Sequence, residues 1–312
     1  MGGLSTKNIL DMESLSCDDI TLILDTAESM KEIARRPVKK VPALRGKTIV
    51  SFFYEPSTRT RVSFDIAAKR LSADLVSLTA GTSSMTKGET LIDTVRNLEV
   101  MSPDIIVIRH SCAGVPNLLT RHVAVPVINA GDGMHAHPTQ ALLDLMTVRE
   151  KRGGIAGLRL AIIGDIARSR VARSDIEGFR KMGASVVVAA PPTMLPSGVA
   201  SLGVDVTYHV DEAIAEADVI MMLRIQKERS AGPQFSTLRE YARTFGLTAE
   251  RLKRARPDVL IMHPGPLNRG VEIAPEVADG PYSVILDQVE SGVAVRMALF
   301  YLVLGGQRDG GD

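Results

Sequence analysis

The densest chemistry in the sequence is a strand-to-helix turn, Phe53-Tyr54-Glu55-Pro56-Ser57-Thr58-Arg59-Thr60-Arg61. The apolar run 48–54 reads as a buried strand, Pro56 breaks it, and Ser57 stands at a helix N-cap. A helix N-terminus presents unpaired backbone N–H groups and partial positive charge, so it binds anions. Ser57, Thr58 and Thr60 add hydroxyls and Arg59 adds a planar guanidinium, which together suit a tetrahedral oxyanion such as phosphate. The competing reading is an ordinary capped helix with a solvated charged face. The Gly-x-x-x-x-Gly-Lys pattern of a nucleotide P-loop is missing here.

Other polar groups follow other apolar strands. Lys87 lies in a small-residue loop, 81–90, where it projects an ammonium or is merely solvated. Arg109 follows the run 105–108, placed to meet a ligand or a structural carboxylate. The segment 129–133 turns into His135-Ala136-His137-Pro138-Thr139-Gln140. Pro138 suits a first helical position, which puts His137 at the N-cap and Gln140 in the first turn. That helix terminus disfavours an imidazolium, leaving a neutral His137 able to donate to a carbonyl. Zinc binding through His135 and His137 is disfavoured for want of a further ligand at suitable spacing, so no metal is expected.

The second half opens with Gly164-Asp165-Ile166-Ala167-Arg168-Ser169-Arg170, which lacks the Gly-x-Gly-x-x-Gly spacing and excludes NAD. Arg168 and Arg170 instead fit a carboxylate receptor. The segment Arg224-Ile225-Gln226-Lys227-Glu228-Arg229 is again cationic. In His263-Pro264-Gly265-Pro266 the prolines fix a backbone whose carbonyls can accept from an amide N–H. A Ser–His–Asp set, a reactive thiol and an acid/base carboxylate pair are all missing from the pattern. The composition fits direct transfer between two bound anions, driven by positioning and electrostatics, without a cofactor.

The elements that must hold these groups alternate. Strands are expected at 47–54, 74–79, 104–109 and 125–129, with helices at 57–72, 89–101, 115–122 and 138–152. A second series places strands near 158–163, 185–190, 204–208, 218–223 and 259–262. Such β-α repeats predict an α/β chain of two doubly wound parallel-sheet domains. Residues 1–14 read as a lead-in to a helix capped by Ser16, and Gly153-Gly154 marks a boundary. This gives domains 1–150 and 151–290, with a long apolar helix, 283–305, packing back on the first. In such sheets ligands bind beyond the carboxyl ends of the strands, where every group named above stands.

Totals agree. With 312 residues and 45% hydrophobic content the chain has ample core, and a net charge of +1 offers no global field for nucleic acid or an anionic membrane. The absence of Trp removes a base-stacking platform. The longest apolar stretches, such as 297–304, are short of a membrane span, and the start lacks a signal-peptide layout. Only Cys17 and Cys112 occur, consistent with a reducing cytoplasm.

Taken jointly and in order, 52–61, His137-Pro138-Thr139-Gln140 and His263-Pro264-Gly265-Pro266 resemble the aspartate/ornithine carbamoyltransferase family over essentially the whole chain. Ser83, Lys87 and the 224–229 segment match the aspartate-using side of that family. The resemblance implies transfer of a carbamoyl group from carbamoyl phosphate to L-aspartate, as in pyrimidine synthesis, with the active site in the cleft between the domains. It assigns phosphate to Ser57, Thr58, Arg59, Thr60 and Arg109, and carbonyl polarisation to Thr60, Arg109 and His137. Gln140 and the Gly265 and Pro266 backbone would hold the amino group. Lys87, Arg170, Arg224 and Gln226 would hold the aspartate carboxylates, while Glu55 would pair with Arg170 and Arg229 as the domains close. The family is trimeric, and its loop Ser and Lys, here Ser83 and Lys87, enter the neighbouring subunit's site. Gly265 stands where some members carry Leu, and Leu267-Asn268-Arg269-Gly270 differs from members that bind regulatory chains. Assembly with regulatory chains or dihydroorotase is therefore left open. The His-Cys-Leu-Pro of ornithine-specific members is replaced by His263-Pro264-Gly265-Pro266.

Overall fold

The computed structural model describes residues 3–79, 89–226 and 237–305. The chain divides into two compact units, Met1–Met146 with Glu290–Asp312, and Thr147–Val289.

In the first unit β1 (Thr48–Phe53), β2 (Asp74–Thr79), β3 (Ile105–His110) and β4 (Val127–Asp132) form a parallel sheet in the order β2-β1-β3-β4. Its helices are α1 (Cys17–Arg35), α2 (Thr58–Arg70), α3 (Leu91–Val100), α4 (Val115–Leu119) and α5 (Pro138–Arg152), the last running into the second unit. β1, β3 and β4 are buried almost throughout, as strands covered on both faces must be. Val50, Phe52, Ile106, Ile108 and Val127 pack with Val95 of α3 and Leu119 of α4 into one core.

Some boundaries differ from expectation: α4 ends at Leu119 and not at 122. β4 begins and ends later than 125–129. Pro126 has no N–H to give to the ladder, and the β3–β4 register shifts between Ile108 and His110, which carries pairing on to His110 and Asp132. The lead-in is also structural. The Ile9 N–H donates to the Val127 carbonyl and the Asn129 N–H to the Ile9 carbonyl, while Ile9, Met12 and Leu15 are buried. The segment thereby extends the sheet beyond β4.

The second unit holds β5 (Arg159–Ile163), β6 (Ser185–Ala189), β7 (Asp205–Thr207), β8 (Val219–Met222) and β9 (Leu260–Met262), all parallel, in the order β7-β6-β5-β8-β9. Its helices are α6 (Arg170–Lys181), α7 (Val210–Ala215), α8 (Leu238–Phe245), α9 (Ala249–Leu252) and α10 (Pro275–Ala278). The final helix, α11 (Ile285–Gly305), enters the first unit at Glu290. Its length and apolarity would suffice to cross a membrane, yet Val295, Met297, Ala298, Leu299 and Phe300 are fully buried in the protein. It is a core helix.

Each sheet order reverses once: between β1 and β3 in the first unit, and between β5 and β8 in the second. Helices leave the sheet in opposite directions at such a point and open a crevice beyond the strand ends.

Candidate active site

At the first reversal, β1 pairs β3 so that Phe53 lies opposite Arg109, and the Tyr54 N–H donates to the Arg109 carbonyl at 2.8 Å. The turn after β1 and the guanidinium at the end of β3 are therefore neighbours by register alone. Arg109 is buried. Its Nη2 donates to Glu55 Oε1 at 2.7 Å and its Nη1 to the Ala130 carbonyl at 3.1 Å.

The start of α2 differs from those of α1 and α3. In α1, Ser16 and Asp19 form a capping box, and in α3 Thr90 caps Asp93. Ser57 occupies the N-cap of α2 in extended backbone, yet its side chain makes no capping hydrogen bond, and the first turn holds no acidic residue. An acid there would compete with an incoming anion for the exposed N–H groups. Thr58 and Arg59 are exposed, Ser57 and Arg61 are half-buried, and Thr60 is buried. A cleft of ≈ 330 Å³ lies against this turn, lined by Phe53, Tyr54, Pro56, Ser57, Thr58, Arg61 and Thr79.

His137 is positioned by a hub that sequence reasoning left without a role. Asp132, fully buried, accepts from the Gly114 N–H at 2.7 Å, Asn129 Nδ2 at 2.8 Å, the Ala136 N–H at 3.1 Å and His135 Nδ1 at 3.0 Å. These bonds close the turn 132–136 directly before His137. Gly133 in this turn has φ +48, and a Cβ on it would sit 2.7 Å from the Ala113 nitrogen. The Gln140 and Ala141 N–H groups donate to the His137 carbonyl, so His137 stands at the start of α5, and both His137 and Gln140 are buried. Arg296 of α11 ties this helix to α2, donating to Ser63 Oγ at 2.8 Å and Thr139 Oγ1 at 3.4 Å.

The second reversal gathers the second-unit residues. Arg170 is the buried first residue of α6, whose N-cap Ser169 accepts from the Ala172 N–H. Arg224 and Gln226 follow β8, half-buried. Asp165 joins the two segments, accepting from the Gln226 N–H at 3.4 Å and from Arg168 Nη1 at 3.2 Å. Arg168, read with Arg170 as a carboxylate receptor, is thus engaged by an acid of its own loop. Burial pushes the Asp165 carboxyl above the usual range, opposed by Arg168 and the backbone donors. Gly164, at φ +128, permits the approach, since a Cβ there would lie 2.8 Å from the Leu223 carbonyl oxygen.

After β9, His263 accepts from the Gly265 N–H at 2.8 Å through Nδ1, so its Nε2 carries the proton donated to Glu272 Oε1 at 3.1 Å. Glu272 also accepts from the Asn268 N–H, and these bonds fix the loop bearing Gly265 and Pro266. Ser83, Lys87 and Arg229 lie outside the described residues.

Comparison with known proteins gives this geometry a family. The model of the aspartate/ornithine carbamoyltransferase carbamoyl-P binding domain matches residues 7–150, and that of the Asp/Orn binding domain matches 156–303. The chain is 80% identical over 310 residues to the aspartate carbamoyltransferase catalytic subunit of Desulfosudis oleivorans, covering 99% of this chain and 100% of that one. It is 60% identical to the same subunit of Syntrophotalea carbinolica, over 97% and 96% of the two chains. Among solved structures, aspartate transcarbamoylase of Trypanosoma cruzi with carbamoyl phosphate and aspartate superposes with a TM-score of 0.86 at 30% identity, covering 96% of each chain. Ornithine carbamoyltransferase of Pyrococcus furiosus gives 0.86 at 32% identity, covering 99% of this chain and 100% of that one. The chain belongs to the aspartate/ornithine carbamoyltransferase family.

Proposed function

We propose that the chain transfers the carbamoyl group of carbamoyl phosphate to the amine of L-aspartate, giving N-carbamoyl-L-aspartate and phosphate, in the synthesis of pyrimidines. The observation that carries this reading is the pairing of chemistry with topology. The reversal of the first sheet holds phosphate-type donors, and that of the second holds Arg170, Arg224 and Gln226, a set matched to a small dicarboxylate.

Ser57, Thr58, Arg59, Thr60 and the α2 N–H groups receive the phosphate, with Arg109 bridging towards the carbonyl. The aspartate amine attacks the carbonyl carbon. As the C–N bond forms, charge grows on the carbonyl oxygen, where Thr60, Arg109 and His137 donate. The C–O bond to phosphate then breaks, and the departing phosphate takes the amine proton. Each donor aimed at the developing oxyanion lowers the barrier by on the order of 3 kcal/mol. Gln140 and the Gly265 and Pro266 carbonyls hold the carbamoyl amino group.

Arg109 is held by Glu55, so incoming phosphate competes for it and releases Glu55 for the pairing with Arg170 and Arg229 that the family resemblance implies. A homotrimer in which Ser83 and Lys87 serve the neighbouring subunit completes the site. The exposed apolar residues Val62 and Ile66 of α2 and Val76 of the edge strand β2 support such a contact surface. Mixed trimers of Lys87→Gln and Arg59→Ala chains recover activity if sites are shared, and stay inactive if they are not.

The direct test is phosphate release from carbamoyl phosphate with L-aspartate, L-ornithine or no acceptor. Release that requires aspartate supports the proposal. Release with ornithine alone overturns the assignment of Arg170 and Arg224 to carboxylates.

A further inference from the structure

Gln140 meets the substrate with one end of an amide, and an amide has two unlike ends. Its oxygen accepts a hydrogen bond and its nitrogen donates, so the end turned towards the ligand decides which group is welcome. In the structure that choice is made from behind. Gln140 Nε2 lies 3.1 Å from Asp144 Oδ1 and 3.2 Å from Oδ2, one turn further along α5. A carboxylate only accepts, so the nitrogen must face it and the oxygen must face away.

Asp144 is fully buried, and an isolated charge there would be costly. Its charge acts on Arg296, also buried, whose guanidinium carbon lies 4.9 Å above the Phe64 ring. Burial lowers the Arg296 pKa to about 10, opposed by Asp144, which leaves it cationic at neutral pH. Arg296 in turn donates to Ser63 on α2, Thr139 on α5 and the Gly292 carbonyl. The buried pair thus joins the two helices whose N-termini bear the donor-substrate groups, and it holds Gln140 in one orientation.

We propose that Asp144 is a specificity-determining positioning residue: it turns the Gln140 oxygen outwards and so makes the site select an acyl phosphate bearing an amino group over one bearing a methyl. This rests on the function proposed above. A site built to hydrogen-bond a substrate N–H rejects the analogue that lacks it, because its own buried acceptor is left unsatisfied. An amide at position 144 can donate or accept, so Gln140 becomes free to present either end.

The test uses the full chain and three probes: carbamoyl phosphate as substrate, acetyl phosphate as an inhibitor competing with it, and inorganic phosphate. Acetyl phosphate has the same shape with a methyl in place of the amino group, and inorganic phosphate reports only the donors around Ser57–Arg61. In Asp144→Asn the KM for carbamoyl phosphate should rise about 10- to 100-fold, with the inhibition constants of acetyl phosphate and phosphate within about 3-fold of wild type. The double variant Gln140→Glu/Asp144→Asn restores a donor facing a carboxylate with an acceptor facing outwards, so it should recover most of the discrimination. It also tests the idea alone if the single variant does not fold. Equal weakening of all three probes means Asp144 only supports the fold locally and overturns the proposal. So does unchanged discrimination in the single variant, or its absence in the double. A wild-type chain that releases no phosphate with aspartate would instead refute the function itself.

Discussion

Replacing Asp132 by Asn tests whether the turn before His137 is held by charge or merely by shape. The substitution preserves volume and converts one acceptor oxygen into a donor. If the new NH2 takes the Oδ2 position, it meets the Gly114 N–H, now 2.7 Å from that atom, and must meet the imidazole that lies 3.0 Å away. If it takes the Oδ1 position, it opposes both Asn129 Nδ2 at 2.8 Å and the Ala136 N–H at 3.1 Å. Neither rotamer satisfies the set. The cheaper one loses a charge-assisted bond and leaves a buried N–H facing another donor, which costs about 3 kcal/mol. Urea unfolding followed by circular dichroism should show that loss. His137 starts the helix that the turn releases, so kcat should fall about 10-fold or more, with the KM for aspartate nearly unchanged. His135→Ala supplies the contrast: its ring is exposed and contributes one partner of four, so it should cost under about 1 kcal/mol. An Asp132→Asn protein within about 0.5 kcal/mol of wild type, with normal kcat, would refute the hub.

Removing the acid that engages Arg109 should make the first-unit site a better anion receptor. Glu55→Gln is expected to tighten inorganic phosphate binding about 5-fold by calorimetry, about 1 kcal/mol, while kcat falls; weaker phosphate binding would show that Glu55 orients Arg109 instead of competing for it. Asp19 should make stability acid-sensitive. Burial raises its pKa, but donors from Ser5 and Ser16 outweigh burial and hold it at about 2, below the unfolded value of about 3.9. Its contribution of about 2 kcal/mol is complete above pH ~4 and lost as pH falls through ~2, so the gap between wild type and Asp19→Asn should roughly halve near pH ~3. A gap constant from pH 7 to 3 contradicts this. Gly164→Ala places a methyl 2.8 Å from the Leu223 carbonyl oxygen in left-handed backbone, costing about 3 kcal/mol in urea unfolding and raising the KM for aspartate; a neutral substitution would mean that β5 and β8 part easily.

What the sequence shows and hides follows from the range of the interactions. Ile105–Ile108, Leu160–Ile163 and Val219–Met222 announce themselves because a strand covered on both faces is continuously apolar. The site turns are legible because Pro56, Ser57 and Pro138 act on their immediate neighbours. The end of β4 is hidden because Ala130-Gly131-Asp132-Gly133 has turn composition, and the register shift between Ile108 and His110 keeps it in the sheet. Ile9 lies in a stretch too short for periodicity, and its partner is Ile128. The Arg296 contact with Ser63 spans 233 positions, and no local pattern encodes it. Asp132 and Asp144 were visible as letters. Their roles depend on donors brought from Gly114 and on a buried cation brought from α11.

The cations at the two crevices are locally countered. Guanidinium groups stand at both strand-end crevices, and each crevice carries an acid of its own. Glu55 sits on Arg109 in the first unit, and Asp165 sits on Arg168 in the second while holding the Gln226 backbone. Without these acids the cations at each crevice would repel one another, and the folded state would weaken. Their presence imposes selection on the ligand. In the proposed reaction phosphate must displace the Glu55 carboxylate that Arg109 holds at 2.7 Å, and the N–H groups at the start of α2 favour a dianion in that exchange. On the proposed function Glu55 would thereby favour phosphate over weaker anions at Arg109, which the Glu55→Gln variant tests.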